Sequence, residues 1–115
     1  MRSRVKSLFE FLKRLADEQV ANTGAVEFSF VIRSLANKAQ KLVIDFALYY
    51  VKANGKQAPK IFKLRNINLT PDQEMRISRK VILKNTSGRT IYPGRHEIEL
   101  KINGKSYSRN WFDVE

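Results

Sequence analysis

The spacing of hydrophobic residues changes near residue 22, and this change divides the chain into two segments. In the first segment, apolar side chains recur at three- and four-residue spacing, at Val5, Leu8, Phe9, Leu12 and Leu15. Basic residues occupy many of the positions between them. This spacing places the apolar side chains on one face of a helix. The pattern therefore predicts an N-terminal amphipathic helix over about residues 3–18, with a connector that ends at residue 22.

From Val26 onward the period becomes two, which is the period of a β-strand with one buried face. The segment 41–52 is the most apolar and is predicted to be a central strand. The predicted core comprises the inward positions of these strands: Phe28, Phe30, Leu42, Ile44, Phe46, Phe62, Leu64, Ile98, Leu100 and Phe112.

Turn signals separate the strands at regular intervals. The clearest is Asn103-Gly104, which lies between two alternating segments and predicts a two-residue hairpin turn. Six or seven such strands predict an antiparallel β-sandwich of immunoglobulin-like type over residues 23–115. The whole chain is thus interpreted as residues 1–22, a helix and connector, and residues 23–115, a mostly β domain.

The composition narrows the possible chemistry. The chain has 115 residues, which suits one core, and it has no cysteine and a single histidine, His96. Disulfides, thiolate zinc sites and multi-histidine metal sites are therefore excluded. No phosphate-binding glycine loop or paired-carboxylate motif occurs. We expect no catalytic residue, metal or cofactor. No apolar run reaches the roughly 18 residues of a membrane span, so a soluble, cytoplasmic protein without membrane contact is expected.

The net charge of +11 is concentrated in the middle of the chain, where residues 51–95 hold eleven basic and two acidic side chains. If the strands in this region are neighbours, their outward cations form one surface suited to DNA phosphates. The candidate phosphate-binding residues are Lys52, Lys56, Lys60, Lys63, Arg65, Arg76 and Lys80. The equally weighted alternative is that these cations provide solubility and protect exposed strand edges.

Several short motifs resemble a known family. They are Leu42-Val43-Ile44-Asp45-Phe46, Lys52-Ala53-Asn54-Gly55, Pro59-Lys60-Ile61-Phe62-Lys63-Leu64, the turn Tyr92-Pro93-Gly94-Arg95-His96, Asn103-Gly104 and Phe112-Asp113-Val114. In order and spacing they are similar to the C-terminal β-domain of bacterial DNA alkylation repair proteins. In that family a helical-repeat domain precedes the β-domain, cradles DNA and carries glycosylase activity toward alkylated purines.

The resemblance covers nearly everything after Val26, but this sequence has no helical-repeat domain onto which catalytic residues can be transferred. It implies a non-catalytic accessory domain that contacts DNA or orients the helical-repeat domain of the same protein. A second copy, paired through helix 3–18, is a further candidate partner. The alternative function is a protein–protein interaction module with incidental positive charge.

Overall fold

The computed structural model describes residues 4–115, and these residues form the two packed sheets of an antiparallel β-sandwich. The strands are β1 (Val5–Ala16), β2 (Gly24–Ser34), β3 (Gln40–Val51), β4 (Gln57–Leu69), β5 (Glu74–Leu83), β6 (Gly94–Ile102) and β7 (Lys105–Val114). One sheet has the order β1-β2-β5 and the other the order β4-β3-β6-β7. The predicted mostly β, immunoglobulin-like architecture is confirmed. Between residues 4 and 115, no helix is long and apolar enough to cross a membrane.

The predicted helix over residues 3–18 is wrong wherever the structure describes it; Ser3 lies outside the described residues. Residues Val5–Ala16 instead form β1, which pairs with β2 along its whole length. The register shifts between Phe9 and Phe11, so Glu10 is the extra residue of a β-bulge. A bulge reverses the alternation of side chains along a strand.

The bulge explains why β1 has a helical spacing. Val5 is buried, and Phe9 and Leu12 pack against the core, so the inward residues follow one another at intervals of four and three. Leu8, by contrast, is 67% exposed on the outward face. The segment expected to be a helix and connector thus contributes an edge strand to the sandwich. The structure therefore does not support the expected dimer through helix 3–18.

The core lies between the two sheets. Of the ten predicted core residues, eight are buried, and Phe62 and Leu64 are partly buried and pack against them. The ring of Phe46 lies at its centre, 5.1 Å from the ring of Phe28 across the sandwich and 4.9 Å from that of Phe62 on the neighbouring strand. As predicted, β3 is an internal strand, and the turn at Asn103-Gly104 joins β6 to β7.

Candidate nucleic-acid interface

The edge strand β4 carries three of the predicted phosphate-binding residues. Lys60, Lys63 and Arg65 are all exposed. Antiparallel partners share a face of the sheet, and Lys60 and Arg65 lie opposite the buried Leu48 and Ile44. These two side chains therefore leave the sandwich at its open flank, whereas Lys63, opposite Asp45, lies on the outer face of the four-stranded sheet.

The loop that leads into β4 carries two more cations. Lys52 donates its backbone N–H to the carbonyl of Lys56 at 2.7 Å, and the Asn54 side chain accepts the Lys56 N–H at 3.0 Å. These bonds close the loop into a compact turn, and both lysines are exposed. Lys52 and Lys56 thus continue the line of cations that follows β4.

Arg76 and Lys80 do not join this line. The prediction that all seven cations share one surface depended on neighbouring strands, but β4 and β5 belong to different sheets. Both residues lie on the outer face of the three-stranded sheet, where each has a carboxylate partner. Arg76 pairs with Glu10 at 2.6 Å and Lys80 with Glu27 at 3.8 Å.

The Glu10–Arg76 pair is reflected in the pKa values of both groups. The hydrogen bond from Arg76 lowers the pKa of Glu10, and the same bond raises the pKa of Arg76. The hydroxyl of Ser29 also donates to Glu10, at 3.1 Å. The charge of Arg76 is therefore matched within its own sheet.

Arg79 connects the edges of the two sheets, a role that the sequence interpretation missed. It lies opposite Phe28, at an inward position of β5, and its guanidinium donates to the carbonyl of Leu64 on β4 at 3.4 Å. The edges of β4 and β5 thus lie on the same flank of the sandwich. The signal was present in the sequence, because Arg79 interrupts the inward apolar series of Met75, Ile77 and Val81.

We use the name basic flank for Lys52, Lys56, Lys60, Lys63 and Arg65 together with Arg79. Among the described residues, none of these six has a carboxylate within 4.0 Å. The sequence explains this, since residues 46–71 contain no Asp or Glu. Lys60 extends over the ring of Phe62, with its ammonium 5.0 Å from the ring centre. The basic flank therefore presents charge that is not neutralised by the protein.

Two other cations on the four-stranded sheet, Arg109 and Lys101, are neutralised. On its outer face Arg109 contacts Glu97 at 3.2 Å and Glu99 at 3.8 Å, and Lys101 contacts Glu99 at 3.9 Å. Tyr49 donates its hydroxyl to Glu99 at 2.9 Å. Burial raises the pKa of Glu99, but hydrogen bonds from Ser106 and Tyr49 outweigh it, so the pKa is lowered overall.

The family-motif turn, Tyr92-Pro93-Gly94-Arg95-His96, has a structural role in this arrangement. His96 is fully buried, and its Nε2 accepts the N–H of Val51 at 3.4 Å. Its Nδ1 lies 3.3 Å from the carbonyl of Gly94, to which it donates in the neutral tautomer that this pairing requires. Burial lowers the pKa of His96. The imidazole thus fastens the start of β6 to the end of β3.

Gly94 and Arg95 complete this turn. Gly94 has a φ of 131°, and a Cβ there would lie 3.3 Å from Cγ2 of Val51, so glycine allows the close approach. Arg95 leaves the core and lies 3.8 Å from the ring centre of Trp111. No group of three or more potential metal-ligating side chains occurs within residues 4–115.

Comparison with known proteins adds a family. A family model described as the C-terminal Ig-like domain of the uncharacterised protein YhaZ matches residues 13–115. The uncharacterised protein YhaZ of Bacillus subtilis (strain 168) is 33% identical over 81 residues, which are 70% of this chain and 22% of that protein.

Solved structures share the fold of this chain. The Pseudomonas fluorescens alkylpurine DNA glycosylase AlkC, bound to DNA containing an abasic site analog, is 30% identical, with a TM-score of 0.86 over 100% of this chain and 31% of its own. A β-glucosidase from Listeria innocua matches 98% of this chain and 16% of its own, with a TM-score of 0.75 and 14% identity, which shows a shared fold alone. The chain spans less than a third of the length of each of these relatives.

Proposed function

Since the chain belongs to the family of YhaZ C-terminal Ig-like domains, we propose that it is a non-catalytic accessory domain of a DNA alkylation repair protein, and that its basic flank contacts the phosphate backbone of DNA. One observation carries this proposal: five cations without a carboxylate partner in the described part of the chain, Lys52, Lys56, Lys60, Arg65 and Arg79, lie along the side of the sandwich where the edges of β4 and β5 meet, and a sixth, Lys63, lies beside them on the outer face of the four-stranded sheet. Arg76 and Arg109, on the outer faces of the two sheets, have carboxylate partners instead.

The relatives support the connection to DNA repair. AlkC is an alkylpurine DNA glycosylase, and its structure contains DNA. The chemistry of the basic flank is consistent with this partner, because lysine and arginine side chains bind phosphates and release the condensed counterions of DNA. Such contacts do not read the base sequence. The helical-repeat domain remains the expected partner within the longer protein.

The accessory role is tested by measuring base excision. The purified chain should release no 3-methyladenine or 7-methylguanine from alkylated DNA, because its one histidine is buried and both of its ring nitrogens contact backbone groups. Release of either base above the rate with a heat-denatured sample would overturn the non-catalytic assignment. DNA binding by the basic flank is tested separately, by the salt dependence described in the Discussion.

The alternative function, a protein interaction module, is favoured by a different observation. Large apolar side chains are exposed on the outer face of the three-stranded sheet, away from the basic flank. Such a surface suits a protein partner better than a polyanion.

A further inference from the structure

The outer face of the three-stranded sheet exposes apolar side chains that no part of the described chain covers. Leu8 is 67% exposed, Phe11 47% and Ile82 58%. We call this surface, with the half-buried Val31 and Leu15, the apolar face. Three large exposed apolar residues on one small sheet form the kind of surface that marks an interaction site.

The register of the strands places these side chains in three rows across the sheet. Leu8 lies opposite Val31, and Ile82 lies opposite Ala25, whose other neighbour is Leu15. These pairs lie toward opposite ends of the sheet.

Phe11 lies between those pairs, in a row with Ser29 and Ser78. The two serines are small, and beside them a shallow depression of about 190 Å³ is lined by Phe11, Phe28, Ser78 and the charged Glu27, Arg79 and Lys80. The face thus offers apolar ridges with a depression between them, a shape into which a side chain of a packed element fits.

Two carboxylates on this face are already matched, whereas its cations Lys6, Lys13 and Arg33 have no carboxylate of the described residues within 4.0 Å and lie exposed around the apolar side chains. Glu10 is held by Arg76 through two hydrogen bonds, at 2.6 and 2.9 Å, and Glu27 pairs with Lys80 at 3.8 Å. Covering the apolar face would therefore not leave these carboxylates buried without a partner, which is the costly outcome.

The outer face of the other sheet also exposes two aliphatic side chains, Val43 at 46% and Ile61 at 52%. It differs in that its charged side chains Glu97, Glu99, Lys101 and Arg109 form one connected set of ion pairs. Its exposed Trp111 is covered on one side by Arg95. That face is already occupied by its own polar network.

The occupant of the apolar face follows from charge and from the length of the relatives. A net charge of +11 opposes the close approach of a second copy. The chain covers only 22% of YhaZ and 31% of AlkC, and the family model is the C-terminal Ig-like domain of YhaZ, so most of YhaZ precedes this domain. β1, the first strand, forms one edge of this sheet.

We propose that the apolar face is the docking surface for the polypeptide that precedes the Ig-like domain in the longer proteins of this family. The proposal rests on the accessory role proposed above and specifies which surface of the domain contacts the preceding polypeptide. The preceding domain packs on the three-stranded sheet through Leu8, Phe11 and Ile82, which leaves the cations on and before β4, from Lys52 to Arg65, free for DNA.

The test compares the isolated chain with a chimera in which this chain replaces the corresponding C-terminal part of Pseudomonas fluorescens AlkC. Methyl NMR signals of Ile, Leu and Val residues report contact at each face. The signals of Leu8, Val31 and Ile82 should move between the two proteins several-fold more than those of Val43 and Ile61, which are exposed on the other sheet. A short linker provides a millimolar effective concentration, so even weak docking is populated.

Two variants and one matched control complete the test. Leu8→Glu and Phe11→Glu in the chimera should each return the signals of Ile82 and Val31 to their positions in the isolated chain, whereas Ile61→Glu should not. Both changes are at exposed positions, and the circular dichroism of each isolated variant verifies its fold. Signals that are identical in chain and chimera, or that move at Val43 and Ile61 instead, would overturn the proposal.

The same variants separate this proposal from DNA binding. Leu8→Glu should leave the DNA affinity of the isolated chain within about twofold after correction for net charge, because Leu8 lies outside the basic flank. Reversal of Lys60 and Lys63 should leave the methyl signals of the apolar face unchanged in the chimera. If the unmodified chain binds no DNA but the docking pattern is present, the DNA contact alone is contradicted.

Discussion

Arg76 donates to both carboxylate oxygens of Glu10, at 2.6 Å to Oε1 and 2.9 Å to Oε2, across the outer face of the three-stranded sheet. Glu10 reaches Arg76 because it is the extra residue of the β1 bulge. Arg76 therefore differs from the basic flank in two ways. It lies on the outer face of the three-stranded sheet, and its charge is matched by Glu10.

This pairing gives a charge-matched test of where DNA binds. Glu10→Gln and Asn66→Lys each raise the net charge by the same amount, but Asn66 is exposed on β4, beside the basic flank. Asn66→Lys should steepen the slope of log affinity against log salt by about 0.9, whereas Glu10→Gln should change it by less than about half of that. Equal changes in titrations with duplex DNA would show that DNA contacts the outer face as well.

Phe46→Ala should destabilise the protein strongly. Phe46 is 1% exposed and packs against the rings of Phe28 and Phe62, so its truncation leaves a cavity between the sheets. We expect a loss of about 3–5 kcal/mol in the free energy of unfolding, measured by urea denaturation. Phe11→Ala, on the apolar face, is the control and should cost less than about 1 kcal/mol. Similar losses for the two variants would contradict the assigned core.

Gly24→Ala tests the pairing of β1 with β2. Gly24 has a φ of 136°, and a Cβ there would overlap the carbonyl oxygen of Leu15 and approach the backbone nitrogen of Asp17 to 2.9 Å. Backbone atoms cannot move aside as a flexible side chain does, so we expect a loss of at least about 2 kcal/mol. Gly88→Ala, which meets open space, should change stability by less than about 1 kcal/mol. A neutral Gly24→Ala variant would show that β1 does not pair as described.

The stability of the protein should fall as pH decreases through the range where histidine titrates. Burial lowers the pKa of His96 below its ordinary value of 6.5, so the folded protein keeps this imidazole neutral while the unfolded chain gains a proton. The stabilisation is complete above 6.5 and is lost as pH falls toward the folded-state pKa, with a slope of at most about 1.4 kcal/mol per pH unit.

Urea denaturation at about pH 7.5 and about pH 5.5 measures this effect. His96 is the only histidine, and the pKa values of Glu10 and Glu99 are lowered below 4.5, so these carboxylates stay charged in this range. His96→Gln should lose most of the pH dependence. An unchanged dependence in that variant would assign the effect to another group.

The sequence predicts most of the sandwich because β2, β3 and β6 alternate without an extra residue. The error at β1 has a physical cause: the extra residue, Glu10, places the inward Leu12 three residues after the inward Phe9, and with Val5 four residues before Phe9 this spacing also fits a helix. Local periodicity alone cannot distinguish the two structures. What decides between them is the pairing of β1 with β2, which is a tertiary interaction.

The candidate site is only partly readable from the sequence for a similar reason. The absence of acidic residues over 46–71 identifies Lys60, Lys63 and Arg65 as unneutralised. The partner of Arg76, however, lies 66 residues away on β1, and no local pattern indicates that pairing. The assignment of β4 and β5 to different sheets is likewise a matter of topology, although Arg79 joins their edges.

The measurement that tests the central claim most directly is the salt dependence of binding to undamaged duplex DNA. If four to six cations of the basic flank contact phosphates, binding should be about micromolar or weaker, with a slope of log affinity against log salt of about −3 to −5. Reversal of Lys60 and Lys63 to glutamate should flatten that slope by about two. Reversal of Lys101 and Lys105, which changes the net charge equally and affects a pair with Glu99, should flatten it less. Equal effects of the two reversals, or no binding even at low salt, would contradict the account.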